Sequence, residues 1–160
     1  MRLSRLSWMV LGVALCAQPA LAQARACLHM GIESPAEVRR REEALAAVRM
    51  INTAMGRGGR VPNQPVEYPT WEELAASSPV ATLRGMGGPL GELARKIEWG
   101  GDEPLPGWEI HHVSGPNAYA FSLTDLRDPC RFAYVADETG TIVEGHPING
   151  GRRGGIVPIT

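Results

Sequence analysis

The sequence predicts an α+β domain in which one long N-terminal helix packs on a four-stranded antiparallel sheet. One observation behind this prediction is the stretch 38–55, whose apolar side chains recur at three- and four-residue steps, with one missing at Arg41 and Glu42. Another is the last third of the chain, where short runs of aromatic and β-branched residues alternate with turn residues. A helix with one apolar stripe and a sheet with one apolar face bury each other, which makes a two-layer sandwich.

The long helix is predicted to begin at a capping box. Ser34 can cap the first turn, Pro35 takes a position whose missing N–H costs nothing, and Glu37 completes the box. The glycine-rich stretch 56–59 is expected to end the helix. The charged stretch 37–43 carries opposite charges four residues apart, and we expect it to face solvent. The apolar stripe is formed by Val38, Leu45, Val48, Ile51 and Met55.

Four strands are predicted after residue 107. They cover residues 108–113, 118–123, 132–136 and 141–144. Turn residues separate them at 114–117, 125–129 and 137–140. Connections this short favour hairpins, so the sheet is expected to be antiparallel. In the second strand Tyr119, Phe121 and Leu123 share one face, because side chains alternate between the two sides of a strand.

The first 22 residues are predicted to be a cleavable signal peptide. Arg2 and Arg5 give a basic start, residues 8–17 are apolar without interruption, and Ala20-Leu21-Ala22 forms a small-x-small cleavage site. Two alternative cleavage sites, Ala22-Gln23-Ala24 and Ala24-Arg25-Ala26, stay open. The apolar run is shorter than the roughly 20 residues that cross a bilayer as a helix. We therefore expect a periplasmic or secreted protein with no integral membrane segment after cleavage.

Three further segments are expected in the exported chain. Residues 23–33 are predicted to form a flexible start, residues 34–148 a single domain, and residues 149–160 a flexible tail rich in glycine and arginine. Loss of residues 1–22 removes two of the 16 basic residues and none of the 17 acidic ones, which leaves a net charge of −3. This balance lacks the clustered basic face that nucleic-acid binding requires.

The cysteines are predicted to form one disulfide. Cys16 lies in the signal peptide, so the exported chain retains Cys27 and Cys130. In an oxidising compartment such a pair is typically bonded. Two alternatives stay open, namely two buried free thiols and a lipidated Cys27. Lipidation is disfavoured because Arg25 stands where its consensus has a small residue.

No group of residues predicts catalysis or a cofactor. His111 and His112 are adjacent, so on a strand they point to opposite faces and cannot share one metal ion. His29 and His146 have no cysteine or carboxylate at ligand spacing. Cys130 lacks the surroundings of a known cysteine nucleophile, and no Gly-x-Ser-x-Gly motif is present.

The acidic loops are the candidate ligand site. Asp125, Asp128, Asp137 and Glu138 fall in two loops that we expect near one end of the sheet. Carboxylate oxygens are the ligands that calcium prefers. The alternative is turn chemistry, because aspartate also stabilises tight turns such as that at Asp128-Pro129.

Several segments resemble the globular domains of type IV pilins and type II secretion pseudopilins. The resemblance spans residues 35–148. It is carried by Arg49-Met50-Ile51-Asn52-Thr53-Ala54, by Tyr68-Pro69 with Glu73-Leu74, by Tyr119-Ala120-Phe121-Ser122, and by Cys130 to Ile142 with the pattern C-x-F-A-Y-V-x-D-E-x-G-x-I. The resemblance implies a pilin-like α+β head with a non-catalytic role in an export pathway or in the cell envelope.

The chain also departs from that family. A prepilin has a glycine cleavage site followed by Phe or Met, a glutamate five residues in from that site, and a continuous apolar stalk helix. Here the helix that starts at Ser34 is amphipathic and charged. We therefore expect a monomer or small oligomer that contacts an envelope or secreted protein partner as a binding or structural module. The alternative is a calcium-binding protein or an enzyme that uses the acidic loops.

Overall fold

The computed structural model describes residues 27–29, 31–59, 66–145 and 157–158. The predicted signal peptide, His146 and most of the predicted tail lie outside these residues. Within them, no helix has both the length and the apolar character that crossing a membrane requires.

Four helices and five strands make up an α+β fold. The helices are α1 (Pro35–Gly58), α2 (Trp71–Ala75), α3 (Ser78–Gly85) and α4 (Gly88–Lys96). The strands are β1 (Trp108–Gly115), β2 (Ala118–Asp125), β3 (Ala133–Asp137), β4 (Ile142–Gly145) and β5 (Val157–Pro158). The predicted N-terminal helix and the four antiparallel strands are confirmed. The two-residue β5 is an addition, and it falls in the segment predicted to be a flexible tail.

The predicted capping box starts α1. The Ser34 hydroxyl accepts a hydrogen bond from the Glu37 amide at 3.3 Å, and the Glu37 carboxylate accepts one from the Ser34 amide at 2.8 Å. A second box starts α2, where Thr70 and Glu73 make the same reciprocal pair. Both boxes satisfy amide groups that a helix cannot pair internally, so they set where these helices begin.

The sheet is an antiparallel meander in which the strands pair in the order β1-β2-β3-β4-β5. Ile110 pairs with Leu123, Leu123 with Tyr134, and Ala136 with Ile142. These pairs stack apolar side chains on the inner face, where α1 packs. On the helix side Val48, Ile51 and Met55 have no exposed surface, as the apolar spacing predicted.

Candidate functional site

Cys27 and Cys130 are joined by a disulfide. Their Cα atoms lie 5.2 Å apart, and 103 positions separate them in the sequence. The bond ties the segment before α1 to the loop between β2 and β3. Cys27 is therefore anchored to the domain.

Asp128 organises the loop that carries Cys130. Its carboxylate accepts hydrogen bonds from the amides of Leu28 at 3.0 Å, Cys130 at 3.1 Å and Phe132 at 3.1 Å, and the residue is 2 % exposed. Within the described part of the chain, Cys27, Asp128 and Cys130 are the only group near enough together to hold a metal ion. Because the two sulfurs are bonded and the carboxylate oxygens already accept three N–H groups, this group serves the fold.

A buried ion cluster lies beside the disulfide and consists of His29, Glu33, Arg40, Arg41 and Asp125. Asp125 is its centre and has no exposed side-chain surface. The Arg40 guanidinium donates to both carboxylate oxygens of Asp125, with Nη2 2.8 Å from Oδ1. Arg40 Nη2 also donates to the Gly107 carbonyl at 2.9 Å. This two-point geometry is the strong form of an arginine–carboxylate pair.

His29 lies between two carboxylates of the cluster. Its Nδ1 is 2.6 Å from Glu33 Oε1, and its Nε2 is 3.0 Å from Asp125 Oδ2. Both ring nitrogens thus face an acceptor, and the ring satisfies both carboxylates when it carries both hydrogens. The side chain of His29 is 3 % exposed, and the Phe132 ring lies 4.4 Å from it. A substrate cannot reach an imidazole enclosed in this way, so the cluster is structural.

The sequence did not predict this cluster. The charge pattern of residues 37–43 indicated a solvent-exposed stretch, but the side chains of Arg40 and Arg41 are 17 % and 31 % exposed and both make ion pairs. His29 and Asp125 are 96 residues apart, so no local spacing connects them. Glu33, in contrast, stands four residues after His29, so the expectation that His29 has no carboxylate at a suitable spacing is wrong. Arg40 also lies 4.8 Å from the centre of the Trp108 ring. The two arginines therefore join α1 to the sheet and to Glu33.

We expect the cluster to make the free energy of unfolding fall at acid pH. Burial by itself raises the pKa of Asp125 and of Glu33, but their partners outweigh it. Hydrogen bonds from Arg40 and His29 lower the pKa of Asp125 below its ordinary value, and His29 and Arg41 do the same for Glu33. A carboxyl whose pKa is lower in the folded state stabilises the fold above its unfolded pKa, about 4, and this contribution is lost as pH falls through the folded pKa.

We expect the free energy of unfolding to fall steadily as the pH is lowered below about 4. Urea unfolding at pH 7, 4 and 3 measures this change. The double variant Asp125→Asn, Glu33→Gln should be less stable at pH 7 and should lose less stability between pH 4 and pH 3. Equal losses in the variant and in the unaltered protein would show that these two carboxylates do not cause the acid sensitivity.

The four calcium candidates are not brought together. Asp125 ends β2, and Asp128 follows it at the same end of the sheet. Asp137 pairs with Ala120 near the opposite end of β2, and Glu138 follows Asp137. The expectation that the two loops meet is wrong, because successive turns of a meander lie at alternate ends of its strands. Asp137 Oδ1 instead accepts bonds from Thr139, 3.0 Å from its amide and 2.6 Å from its hydroxyl, which is turn chemistry.

His111 and His112 point to opposite faces of β1. On the outer face the side chain of His111 is 45 % exposed, and its Nε2 lies 3.1 Å from Glu109 Oε2. On the inner face His112 is half-buried, and its Nε2 is buried without a hydrogen-bond partner among the described residues. Burial lowers the pKa of His112 below its usual value, although the nearby Glu72 carboxylate acts in the opposite direction. The inner ring is therefore neutral at pH 7.

The outer edge of β1 is covered at both ends. Trp108 donates its amide to the Leu105 carbonyl and Ile110 donates to Asp102, each at 2.9 Å. Since the N–H and C=O of alternate residues point to the same side of a strand, the backbone groups of residues 108, 110, 112 and 114 face away from β2. At the far end, a bridge between Glu67 and Pro116 covers the edge again.

Between these two contacts, part of the outer edge of β1 stays unpaired. The backbone groups of His112 and Ser114 face outward there, and no described residue pairs with them. A groove of about 500 Å³ opens beside them, lined by residues 110–114 of β1, by Thr70 and Glu72 at the start of α2, and by Asp102. We call it the edge groove. An unpaired strand edge can add an extended chain through main-chain hydrogen bonds.

Comparison of the chain with protein-family models, with curated proteins and with solved structures finds no match. The similarity of its sequence segments to pilins and pseudopilins therefore stays a prediction. Among the described residues, the ion cluster is enclosed, whereas the edge groove is open to solvent and has unpaired backbone groups. The edge groove is thus the candidate functional site.

Proposed function

We propose that this protein is exported and acts in the periplasm or secreted space as a non-catalytic binding module, which holds an extended segment of a partner protein along the edge groove. The observation that carries this proposal is the gap in the cover of β1. A segment that enters it would pair with the outward N–H and C=O groups of His112 and Ser114 and would extend the sheet by one short strand.

The rest of the chain supports a module of this kind. The disulfide between Cys27 and Cys130 suits an oxidising compartment, where the predicted signal peptide would deliver the chain. β1 is paired with β2 along its whole length, so the wall of the groove is already formed before a partner arrives. A preorganised edge binds at a lower entropic cost than one that must first form. The proposed role matches a pilin-like head that lacks the assembly stalk.

The Ser114→Pro variant tests the proposal. Proline removes the outward N–H and places its ring at the open edge, a position that sheets tolerate. The probes are blocked pentapeptides, acetyl-Gly-Val-X-Val-Gly-amide with X as Arg, Lys, Ser or Glu, titrated into ¹⁵N-labelled protein purified after export. We expect amide shifts at residues 110–114 for at least one peptide, and binding about tenfold weaker in Ser114→Pro, since about 1.4 kcal/mol of hydrogen bonding is lost.

Ser114→Ala is the matched control, because it alters the same side chain and keeps the N–H group. It should bind as the unaltered protein does, and thermal melting of both variants checks that they are folded. Binding by none of the four peptides, or equal binding by Ser114→Pro, would overturn the proposal.

A further inference from the structure

Resting on the proposed function, we propose that the edge groove selects a segment with a lysine or arginine at the position opposite His112, whose cationic group is held by Glu72 and Asp102. The alternation of side chains along β1 fixes where that residue would point. Residues opposite each other on paired strands direct their side chains to the same face. The His112 side chain lies on the inner face, next to the start of α2, so the partner residue would enter the same corner.

The charges around that corner are negative. Glu72 and Asp102 both line the groove, and neither makes an ion pair with another described residue. No lysine or arginine of the described chain contributes to the lining. His111, which also lines the groove, is held by Glu109 on the outer face. A cationic side chain would thus meet two carboxylates that no described cation neutralises, whereas an acidic one would be repelled.

His112 adds a second, independent preference. Its Nε2 is buried and has no partner among the described residues, which is costly for a polar atom. A neutral ring nitrogen can accept a hydrogen bond, and a guanidinium or an ammonium group has several to donate. Because this atom has no accessible surface, a partner cation would reach it only after a turn of the His112 ring, and it would then satisfy an atom that no described residue satisfies.

A long cationic side chain fits this corner better than a bare metal ion. Among the described residues, the carboxylates and imidazoles of the groove do not form a group close enough together to coordinate one ion. The neighbouring positions of the segment would face outward beside Val113, which is 55 % exposed. An apolar residue there would cover it, so the preferred pattern is apolar, cationic, apolar.

The four pentapeptides defined above test this selection. We expect the Arg and Lys peptides to bind roughly fivefold more tightly than the Ser peptide, and the Glu peptide to bind most weakly. The difference is small because solvent screens an exposed charge pair. The double variant Glu72→Gln, Asp102→Asn should bind all four about equally. The matched control is Glu92→Gln, Glu138→Gln, which removes the same charge from exposed positions away from the groove and should keep the preference.

Each outcome decides between the two proposals. A preference for Arg and Lys that the Glu72→Gln, Asp102→Asn variant loses and the control retains supports the selection. Equal binding of all four peptides, or a preference for Glu, overturns the selection and leaves edge binding in place. A preference for Arg and Lys that survives in the groove variant also overturns it, because the cation would then be held elsewhere. Failure of every peptide to bind overturns the proposed function and the selection together.

Discussion

Replacing Cys27 and Cys130 with alanine is expected to destabilise the protein by about 4 to 5 kcal/mol, which the chain-entropy model gives for a bond that closes a loop of about 100 residues. The bond removes unfolded conformations in which residue 27 lies far from residue 130. It also lies close in the sequence to His29 and Glu33, which belong to the ion cluster. Urea unfolding of the oxidised protein and of the double alanine variant measures the difference.

Two controls separate the bond from the side chains. Unaltered protein unfolded in the presence of a reductant should match the double alanine variant. Mass spectrometry of the non-reduced protein should show a mass lower by two hydrogen atoms than that of the reduced form. Two thiols that react with an alkylating agent in freshly isolated native protein would contradict the prediction.

Asp125→Asn is expected to cost about 3 to 5 kcal/mol, the usual result of removing one partner from a buried ion pair. Asparagine has nearly the same shape and can still accept the hydrogen bond that the Arg127 amide donates at 2.9 Å. It cannot balance the charge of Arg40, whose guanidinium is bound at both carboxylate oxygens. The loss of stability would therefore come from the unbalanced charge of Arg40 and not from a change in packing. Denaturant unfolding at pH 7 gives its size.

Glu109→Gln is the matched control, since it makes the same chemical change at an exposed ion pair. Glu109 Oε2 lies 3.0 Å from Arg131, and the side chain is 32 % exposed. We expect a loss below about 1 kcal/mol, because solvent screens such pairs. Similar losses at positions 109 and 125 would mean that burial does not strengthen the cluster.

The acidic loops illustrate a sequence prediction that failed for a simple geometric reason. The prediction that Asp125 and Asp137 meet treats every turn of the meander as lying at one end of the sheet. Residue 125 ends β2, whereas Asp137 pairs with Ala120 near its start. Turn chemistry, the alternative left open for these residues, accounts for Asp137 through its bonds to Thr139. Because each strand of a meander reverses the chain direction, the strand order alone is sufficient to separate these two turns.

The sequence by itself determined the elements whose causes are local. The capping box at Ser34 and Glu37 and the apolar spacing of α1 each depend on residues a few positions apart. The cysteine pairing was also predictable, since signal cleavage would leave only two cysteines.

Only the tertiary structure decided the contacts between distant segments. His29 meets Asp125 because a disulfide and α1 bring them together. The edge groove exists because residues 67 and 102 cover the ends of β1 and leave residues 112 and 114 open. Such contacts depend on how whole helices and strands pack, which the spacing of residues in the sequence does not predict.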